Sequence, residues 1–362
     1  MKLSIVFSAI ASTAFAANRL QAVPFLGAAD SLFGGGIEGA GVDMAGNIYA
    51  VNFNANGTSA GQIAPTQALF FKSSNDTSLV NGIRFNIDSK GAEEAYIADA
   101  VTHQIVQLTG RQDATGIFDK IDIFCQDENM LQPNDLAIAS STGRIFTSGM
   151  RWTSDSVVGD GDLWTCGKDG VARSLGTFMR TNGIEVSPDE KTLYLSEAGN
   201  KGGSVVSNVI HAFDLDAATG DVSNKRTFVD FAQLDQSEAT DIDGMRTDVD
   251  GNLYVSRNGL GQVAVFAPAG ELTAYINATS IDFVSNLEFG GSNGTDLYLI
   301  GRCKEDETKG CADVLKGSAQ GRAFSNLQPS AAAPTVTPTD EPNSSSTDKS
   351  TTSPTVHRCP SK

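Results

Sequence analysis

A strand–turn–strand pattern that recurs six times limits the possible folds of this chain more than any other feature. In the copy "IEVSPDEKTLYLSEAG", which starts at Ile184, apolar residues alternate with polar ones on both sides of a polar turn. The six copies start at Gly41, Ile83, Leu136, Ile184, Met245 and Leu287. Weaker strand pairs lie between them, so each repeat of about 50 residues contains four short strands. The pattern predicts an all-β fold, a six-bladed β-propeller of four-stranded antiparallel blades.

The two ends of the chain differ from the repeat. Residues 1–17 carry a basic residue, a short apolar run and small residues, which is typical of a secretory signal peptide and too short to span a membrane. Residues 328–362 are rich in Ser, Thr and Pro and predict a disordered tail. The propeller is therefore expected at residues 18–327. Because the last repeat has few strands, we expect a strand near Leu20 to Leu26 to complete the ring.

Composition favours a secreted monomer that binds a small molecule. The net charge of -17 repels phosphate backbones, so nucleic acid is not an expected partner. No apolar run beyond the leader is long enough to cross a membrane. Five Asn-X-Ser/Thr sequons predict a glycoprotein: Asn56, Asn75, Asn277, Asn293 and Asn343.

The chain contains five cysteines, an odd number for a secreted protein. Cys303 and Cys311 can close a short loop, and Cys125 with Cys166 is a second candidate pair, which leaves Cys359 in the tail. Spacing alone does not fix this connectivity. The spacings are not those of a zinc module.

One position just ahead of the first strand of each hairpin carries a side-chain oxygen in every copy. The six residues are Glu38, Asn81, Asn134, Asn182, Asp243 and Asn286. Since the innermost strands of a propeller begin at the same face, these oxygens are expected to converge at one channel mouth. Two carboxylates with neutral amides predict one divalent cation, Ca²⁺ ahead of Mg²⁺ or Mn²⁺, with Zn²⁺ least favoured. For any single residue, local turn chemistry is the alternative.

The sequence around these positions resembles a known family. The motifs that carry the resemblance are "IEGAGVDMAGNIYAV", "QPNDLAIASSTGRIFTS", "TNGIEVSPDEKTLYLSEA" and "IDGMRTDVDGNLYVS". From Phe33 to Leu299 the chain is similar to the family of gluconolactonase, regucalcin and luciferin-regenerating enzyme, whose members include sugar-lactone hydrolase propellers.

The resemblance implies roles for most of the six residues. It implies that Glu38, Asn182 and Asp243 coordinate the cation. Asn134 would lie beside the cation as a ligand or as a substrate contact. We expect Asn81 and Asn286 to support these residues or to be purely structural.

The implied activity is that of a metal-dependent lactonase. The cation would polarise a lactone carbonyl and activate water, with Asp243 as the catalytic base. One alternative is another metal-dependent esterase, such as a phosphotriesterase in which Asp243 acts as the nucleophile. The other alternative is a non-catalytic, calcium-stabilised binding propeller.

Segments on the same face supply further candidates for substrate contacts. Arg151 can pair with a carboxylate or phosphate, Trp152 can stack on a sugar ring, and His103 lies in a connection that is expected to rise on this face. Gln132, two residues before Asn134, stands where the similar sugar-lactone enzymes can carry an Arg. None of the three His residues occupies a converging position, which argues against Ser-His-Asp chemistry.

Overall fold

Six β-sheets lie around a central channel, one for each sequence repeat. The computed structural model describes residues 17–53, 59–72, 79–111 and 118–329. The first strands of neighbouring sheets contact each other around a closed ring, from the first sheet to the sixth and back to the first. The predicted six-bladed β-propeller is confirmed.

The strands of the first four blades follow one another in chain order from the channel outward. Blade one contains Ile37–Val42, Ile48–Asn52, Ser59–Ala64 and Ala68–Lys72. Blade two contains Val80–Ile87, Glu93–Asp99, Gln104–Arg111 and Phe118–Gln126. Blade three contains Gln132–Ala139, Arg144–Met150, Gly161–Cys166 and Ala172–Phe178. Blade four contains Arg180–Val186, Thr192–Lys201, Ser204–Asp216 and Asp221–Asp230.

The last two blades also contain strands from the N-terminal end of the chain. Blade five contains Ile242–Thr247, Leu253–Arg257, Gln262–Phe266, Leu272–Asn277 and Asn18–Gln21. Blade six contains Ile281–Gly290, Asp296–Cys303, Gly310–Leu315 and Val23–Leu26. A 3-10 helix spans Ala28–Asp30, and two short α-helices span Phe231–Leu234 and Arg322–Leu327.

The N-terminal segment closes the ring. Val23–Leu26 pairs antiparallel with Gly310–Leu315 as the outermost strand of blade six, which confirms the predicted closing strand. Asn18–Gln21 pairs in parallel with Leu272–Asn277 and gives blade five a fifth strand, which the sequence pattern did not predict. Adjacent stretches of one segment therefore join two blades.

The polar turns of the hairpins are held by buried aspartates. In blade one, Asp43 Oδ1 accepts a hydrogen bond from the backbone N–H of Asn47 at 2.8 Å. The turn requires a positive φ of 81° at Gly46, which glycine adopts without strain. Asp248 and Gly251, with a φ of 86°, repeat this arrangement in blade five. The repeated sequence motif is thus explained by a repeated turn.

Charged side chains fill the channel between the blades. They are Arg84, Arg246, Arg322, Asp135, Glu185 and Glu288, all of them buried. Arg84 pairs with Asp135 at 2.6 Å, and Arg246 Nε donates to Glu288 at 2.7 Å. Arg322, from the helix Arg322–Leu327, pairs with Glu185. Three cations match three anions, so this part of the channel carries no net charge.

Two disulfides are present among the described residues. Cys125 is joined to Cys166, which links blade two to blade three, and Cys303 is joined to Cys311 within blade six. Both candidate pairs are therefore confirmed, while Cys359 lies outside the described residues. The same holds for most of the predicted signal peptide and for the tail from residue 330 onward. Within the described segments, no helix is long and apolar enough to cross a membrane.

Candidate metal centre and substrate pocket

A cavity of about 210 Å³ lies at the end of the channel where the innermost strands begin. Five of the six predicted site residues line it: Glu38, Asn81, Asn134, Asn182 and Asp243. Each comes from a different blade, from one to five, so the pocket is assembled by the ring and not by any one sheet. The predicted convergence is found for these five residues.

A β-bulge turns the site residues toward the channel. In blade four, strand pairing passes from Thr181 to Ile184 and leaves Asn182 and Gly183 unpaired. Blades two, three and five have a bulge at the matching residues. A bulge bends the strand and redirects a side chain, and bulges are frequent beside active sites. In blades two to five the bulge therefore coincides with the residue that lines the pocket, whereas in blade one Glu38 is paired with Val51 and the shift falls on Gly39.

The glycine after several site residues is required by close packing between blades. A Cβ added to Gly183 would lie 2.1 Å from the carbonyl oxygen of Asp243, the site residue of the next blade. At Gly39 the matching distance, to the Asn81 carbonyl oxygen, would be 2.3 Å. Real Cβ atoms do not approach so closely. Only glycine lets neighbouring inner strands come near enough for their site residues to share one pocket.

Asn286 is the predicted site residue that does not line the pocket. In blade six, pairing shifts between Val284 and Asn286, so the bulge falls on Ser285. Ser285 is the structural counterpart of Asn182, and its hydroxyl donates to the Ile37 carbonyl at 2.6 Å. The prediction of six converging residues is corrected to five, because the alignment of blade six was shifted by one residue.

Asn286 and Asp135 instead form the floor of the pocket. Each directly follows the residue that stands at the site position of its blade. In the other four blades, this following residue is a glycine. Asn286 Nδ2 contacts Asp135 Oδ2 at 3.5 Å. Blades three and six are opposite in the ring, so this contact crosses the channel. Since Asp135 also pairs with Arg84, the floor connects the pocket to the ion network below it.

Two buried carboxylates dominate the electrostatics of the pocket. Burial, followed by the negative charges of Asp243 and Asp135, raises the pKa of Glu38 well above its usual range. Burial also raises the pKa of Asp243, to about 7, while the hydrogen bond from Asn258 Nδ2 at 2.7 Å opposes this rise. Burial is the largest cause of both shifts, and repulsion from neighbouring carboxylates adds to each of them.

The donor set fits a divalent cation. Asn182 Oδ1 is buried and accepts no hydrogen bond from the described residues, which is costly unless a cation occupies its free side. Once ionised, Glu38 and Asp243 would carry two negative charges that no free cationic side chain of the pocket lining cancels, since Arg180 is paired with Asp241 at 2.7 Å. Oxygen donors of this kind suit Ca²⁺ or Mg²⁺. No cluster of three His, Cys, Asp or Glu metal ligands occurs in the described part of the chain, so neutral amides would have to complete the set.

The predicted substrate contacts divide into two groups. Gln132 and Trp152 line the pocket. Arg151 and His103 do not: the Arg151 guanidinium donates to the Gly159 carbonyl at 3.1 Å, and His103 Nδ1 lies 2.6 Å from the Met130 carbonyl. Local backbone groups contact both side chains, and neither residue is part of the pocket lining, so their interpretation as substrate contacts stays a prediction.

Sequence reasoning missed Arg180 and Asp241, which line the pocket as an ion pair. Arg180 is 2% exposed and lies under the ring of Trp152, with its guanidinium carbon 4.5 Å from the ring centroid. A signal was present, because Arg180 and Asp241 each lie two residues before a site residue. Gln132 occupies that same position in blade three.

The comparisons with known proteins agree with this geometry. A family model described as "SMP-30/Gluconolactonase/LRE-like region" matches residues 109–301. The chain belongs to this SMP-30/gluconolactonase/LRE-like family. The match includes Asn134, Asn182 and Asp243, and the resemblance inferred from the motifs is confirmed.

Two relatives within the SMP-30/gluconolactonase/LRE-like family show how far the similarity extends. Regucalcin of Danio rerio is 27% identical over 158 residues, which are 43% of this chain and 50% of the relative. Gluconolactonase of Zymomonas mobilis is 26% identical over 230 residues, 60% of each chain. The matched part thus spans only about half the length of the curated regucalcin. The similarity therefore shows the family of this chain and not its activity.

The fold extends further than the sequence similarity. The solved structure of a regucalcin from Agrobacterium tumefaciens, described as a calcium-binding protein, superposes with a TM-score of 0.62. The superposition covers 84% of this chain and 98% of that chain at 17% identity. At 17% identity, the likeness shows that this chain and the bacterial regucalcin share the propeller fold.

Proposed function

We propose that this protein is a secreted hydrolase that uses one divalent cation to open a lactone or similar cyclic ester, with Asp243 as the general base. The observation that carries the proposal is the combination of two buried carboxylates, Glu38 and Asp243, with the unpartnered Asn182 Oδ1 in one small pocket. Family membership supports hydrolysis of a lactone as the reaction class.

Glu38, Asn182 and Asp243 would hold the cation, with Asn134 beside them. Ca²⁺ is favoured, because carboxylate and amide oxygens match its ligand preference and the solved bacterial regucalcin is described as a calcium-binding protein. When bound, the cation would supply Lewis-acid polarisation of the ester carbonyl. Excess negative charge in the pocket supports a cation of charge two over a monovalent ion.

Asp243 is suited to accept and return a proton. Burial raises the pKa of Asp243 to about 7 in the cation-free pocket, and a bound cation would lower it, so that Asp243 is ionised and able to accept a proton at neutral pH. Asn258 fixes one carboxylate oxygen by its hydrogen bond of 2.7 Å. In the proposed reaction the water oxygen bonds to the carbonyl carbon while Asp243 takes a water proton. The ring C–O bond then breaks, and the proton passes to the departing ring oxygen to give a hydroxy acid.

Neutral side chains would orient the substrate. Asn81, Asn134 and Gln132 line the same pocket as the charged residues. Their amides can donate to an ester oxygen without adding charge. Secretion is supported by the signal-like N-terminus and by two disulfides, which persist in oxidising compartments.

Lactone hydrolysis with and without a chelator tests the proposal. We expect the purified protein to open D-glucono-δ-lactone or δ-nonalactone, to lose this activity in EDTA and to regain it with Ca²⁺. Replacing Asp243 by Asn should lower kcat about 100-fold or more. Asp155→Asn is the matched control, because Asp155 lies on the neighbouring loop, is exposed and does not line the pocket. Hydrolysis that is unaffected by both EDTA and Asp243→Asn would contradict the proposal.

A further inference from the structure

The wall of the pocket is apolar on one side. Phe53, Ala100 and Met150 line it from blades one, two and three. They are structural equivalents. In each of these blades, the residue just before the site residue pairs with a residue of the second strand, and Phe53, Ala100 or Met150 is the next residue after that partner. Because these blades are consecutive in the ring, the three residues form an arc one strand farther from the channel axis than Glu38, Asn81 and Asn134, the polar site residues of the same blades. Pro133, also in the pocket lining, extends this arc in blade three.

The other side of the pocket is charged. The residues equivalent to Phe53 in blades four and five are Ala198 and Asn258, and Asn258 is bonded to Asp243. The same two blades supply the Arg180–Asp241 ion pair. An ester group held near Asp243 would therefore leave its substituent to face blades one to three.

Trp152 adds a flat apolar surface at the rim. Its side chain is 59% exposed, although one face of the indole covers the Arg180 guanidinium at 4.5 Å. The loop that carries it is anchored: Thr153 Oγ1 donates to Asp160 at 2.8 Å, and Asn200 Nδ2 donates to the Thr153 carbonyl at 2.9 Å. A large aromatic side chain held in place and open to solvent is a typical platform for an apolar ligand.

We infer that the substrate is a lactone or cyclic ester with an apolar substituent rather than a polyhydroxylated sugar lactone. This inference rests on the proposed function. Hydroxyl groups that faced the arc of Phe53, Ala100 and Met150 would lose their hydrogen bonds to water. Among the pocket-lining side chains of these blades other than Trp152 at the rim, only Glu38 and the amides of Asn81, Asn134 and Gln132 could replace them, and those groups are assigned to the cation and the ester. An alkyl group there would be removed from water with a gain proportional to its buried area. The cavity of about 210 Å³ equals roughly seven water volumes, which suits one small ring with a short chain.

Two lactones with the same six-membered ester ring provide the test. D-glucono-δ-lactone carries hydroxyl groups, while δ-nonalactone carries a butyl chain. We expect kcat/KM for δ-nonalactone to exceed that for D-glucono-δ-lactone by about 100-fold. Hydrolysis of D-glucono-δ-lactone with equal or higher kcat/KM would overturn the inference and leave the proposed function standing. Failure to open either lactone in the presence of Ca²⁺ would overturn both.

Two variants locate the effect. Trp152→Ala should lower kcat/KM for δ-nonalactone about tenfold and change that for D-glucono-δ-lactone by less than about twofold. Val158→Ala is the control, since Val158 is 69% exposed on the same loop and does not line the pocket; it should leave both values unchanged. Equal losses on both lactones in Trp152→Ala would contradict a role in recognising the substituent.

Fluorescence gives a readout that does not depend on turnover. The chain has two tryptophans, and the other, Trp164, is buried at 7% exposure. Iodide quenching therefore reports on Trp152. In the wild-type protein with Ca²⁺, the lactam analogue of δ-nonalactone, which resists hydrolysis, should protect Trp152 from iodide quenching, and D-glucono-δ-lactam at the same concentration should not. Protection by both or by neither would contradict the inference.

Discussion

The cation-free protein should become more stable when Asp243 is replaced by Asn, by an amount that grows as the pH rises from about 4 to about 7. Burial raises the pKa of Asp243 from 3.8 to about 7. Between these values the folded state keeps a proton that the unfolded state has released, so stability falls as pH rises. A pKa difference of about three corresponds to about 4 kcal/mol, because one unit corresponds to about 1.4 kcal/mol. An asparagine at this position would never ionise and would avoid this loss.

Melting temperatures in EDTA measure the effect. At about pH 8, the free energy of unfolding of Asp243→Asn should exceed that of the wild type by about 2–4 kcal/mol. The lower figure allows for the altered hydrogen bond to Asn258. For a chain of this size the difference corresponds to roughly 4–8 °C in Tm. At about pH 4 the carboxyl is protonated in the folded wild type and partly protonated in the unfolded chain, so the two proteins should differ by less than about 1 kcal/mol. Addition of Ca²⁺ at high pH should raise the Tm of the wild type and not of the variant. An equal effect at both pH values would refute the reasoning.

Three further predictions concern the scaffold around the pocket. Arg322→Met leaves Glu185 buried without its partner and should lower the free energy of unfolding, measured with urea, by about 3–5 kcal/mol. The second change Glu185→Gln should restore most of this loss. A loss below about 1 kcal/mol would be inconsistent with the ion network. Gly183→Ala should weaken Ca²⁺ binding, because the new Cβ would collide with the next inner strand. Gly27→Ala is the control, since a Cβ at Gly27 would have no atom within 4 Å, and it should leave binding unchanged. Equal Ca²⁺ affinities of the two variants in calorimetry would show that the close approach of the strands is unimportant. Deleting residues 18–26 removes the closing strands and should abolish cooperative thermal unfolding by circular dichroism; an unchanged transition would mean that the ring closes without them.

The fold could be predicted from the sequence because each blade repeats the same local chemistry. An apolar alternation around a turn such as Asp43 to Gly46 produces the same hairpin wherever it occurs, and six copies leave few architectures. Ring closure was also predictable, since blade six lacked one strand. The added strand Asn18–Gln21 was not, because it pairs in parallel with a distant segment and follows no repeat.

The site was predicted only where the repeat extended to it. Glu38, Asn182 and Asp243 stand at one position of the repeat, and the ring brings them together. Asn286 was misplaced because a one-residue shift of the bulge moves a side chain from the pocket to its floor. Arg180 was missed because its importance arises from its ion pair with Asp241 of another blade, although both residues share a position two residues before a site residue.

The most direct test of the account is a titration of Ca²⁺ into the EDTA-stripped protein by calorimetry, in buffers of different ionisation enthalpy. The account predicts one cation per chain and release of protons at about pH 6, because Glu38 and Asp243 have raised pKa values and must ionise to bind. Asn182→Ala removes an oxygen that lacks a protein partner, so it should keep the fold and lose the binding. An absence of binding in the wild type, or equal affinity in Asn182→Ala, would contradict a cation site in this pocket.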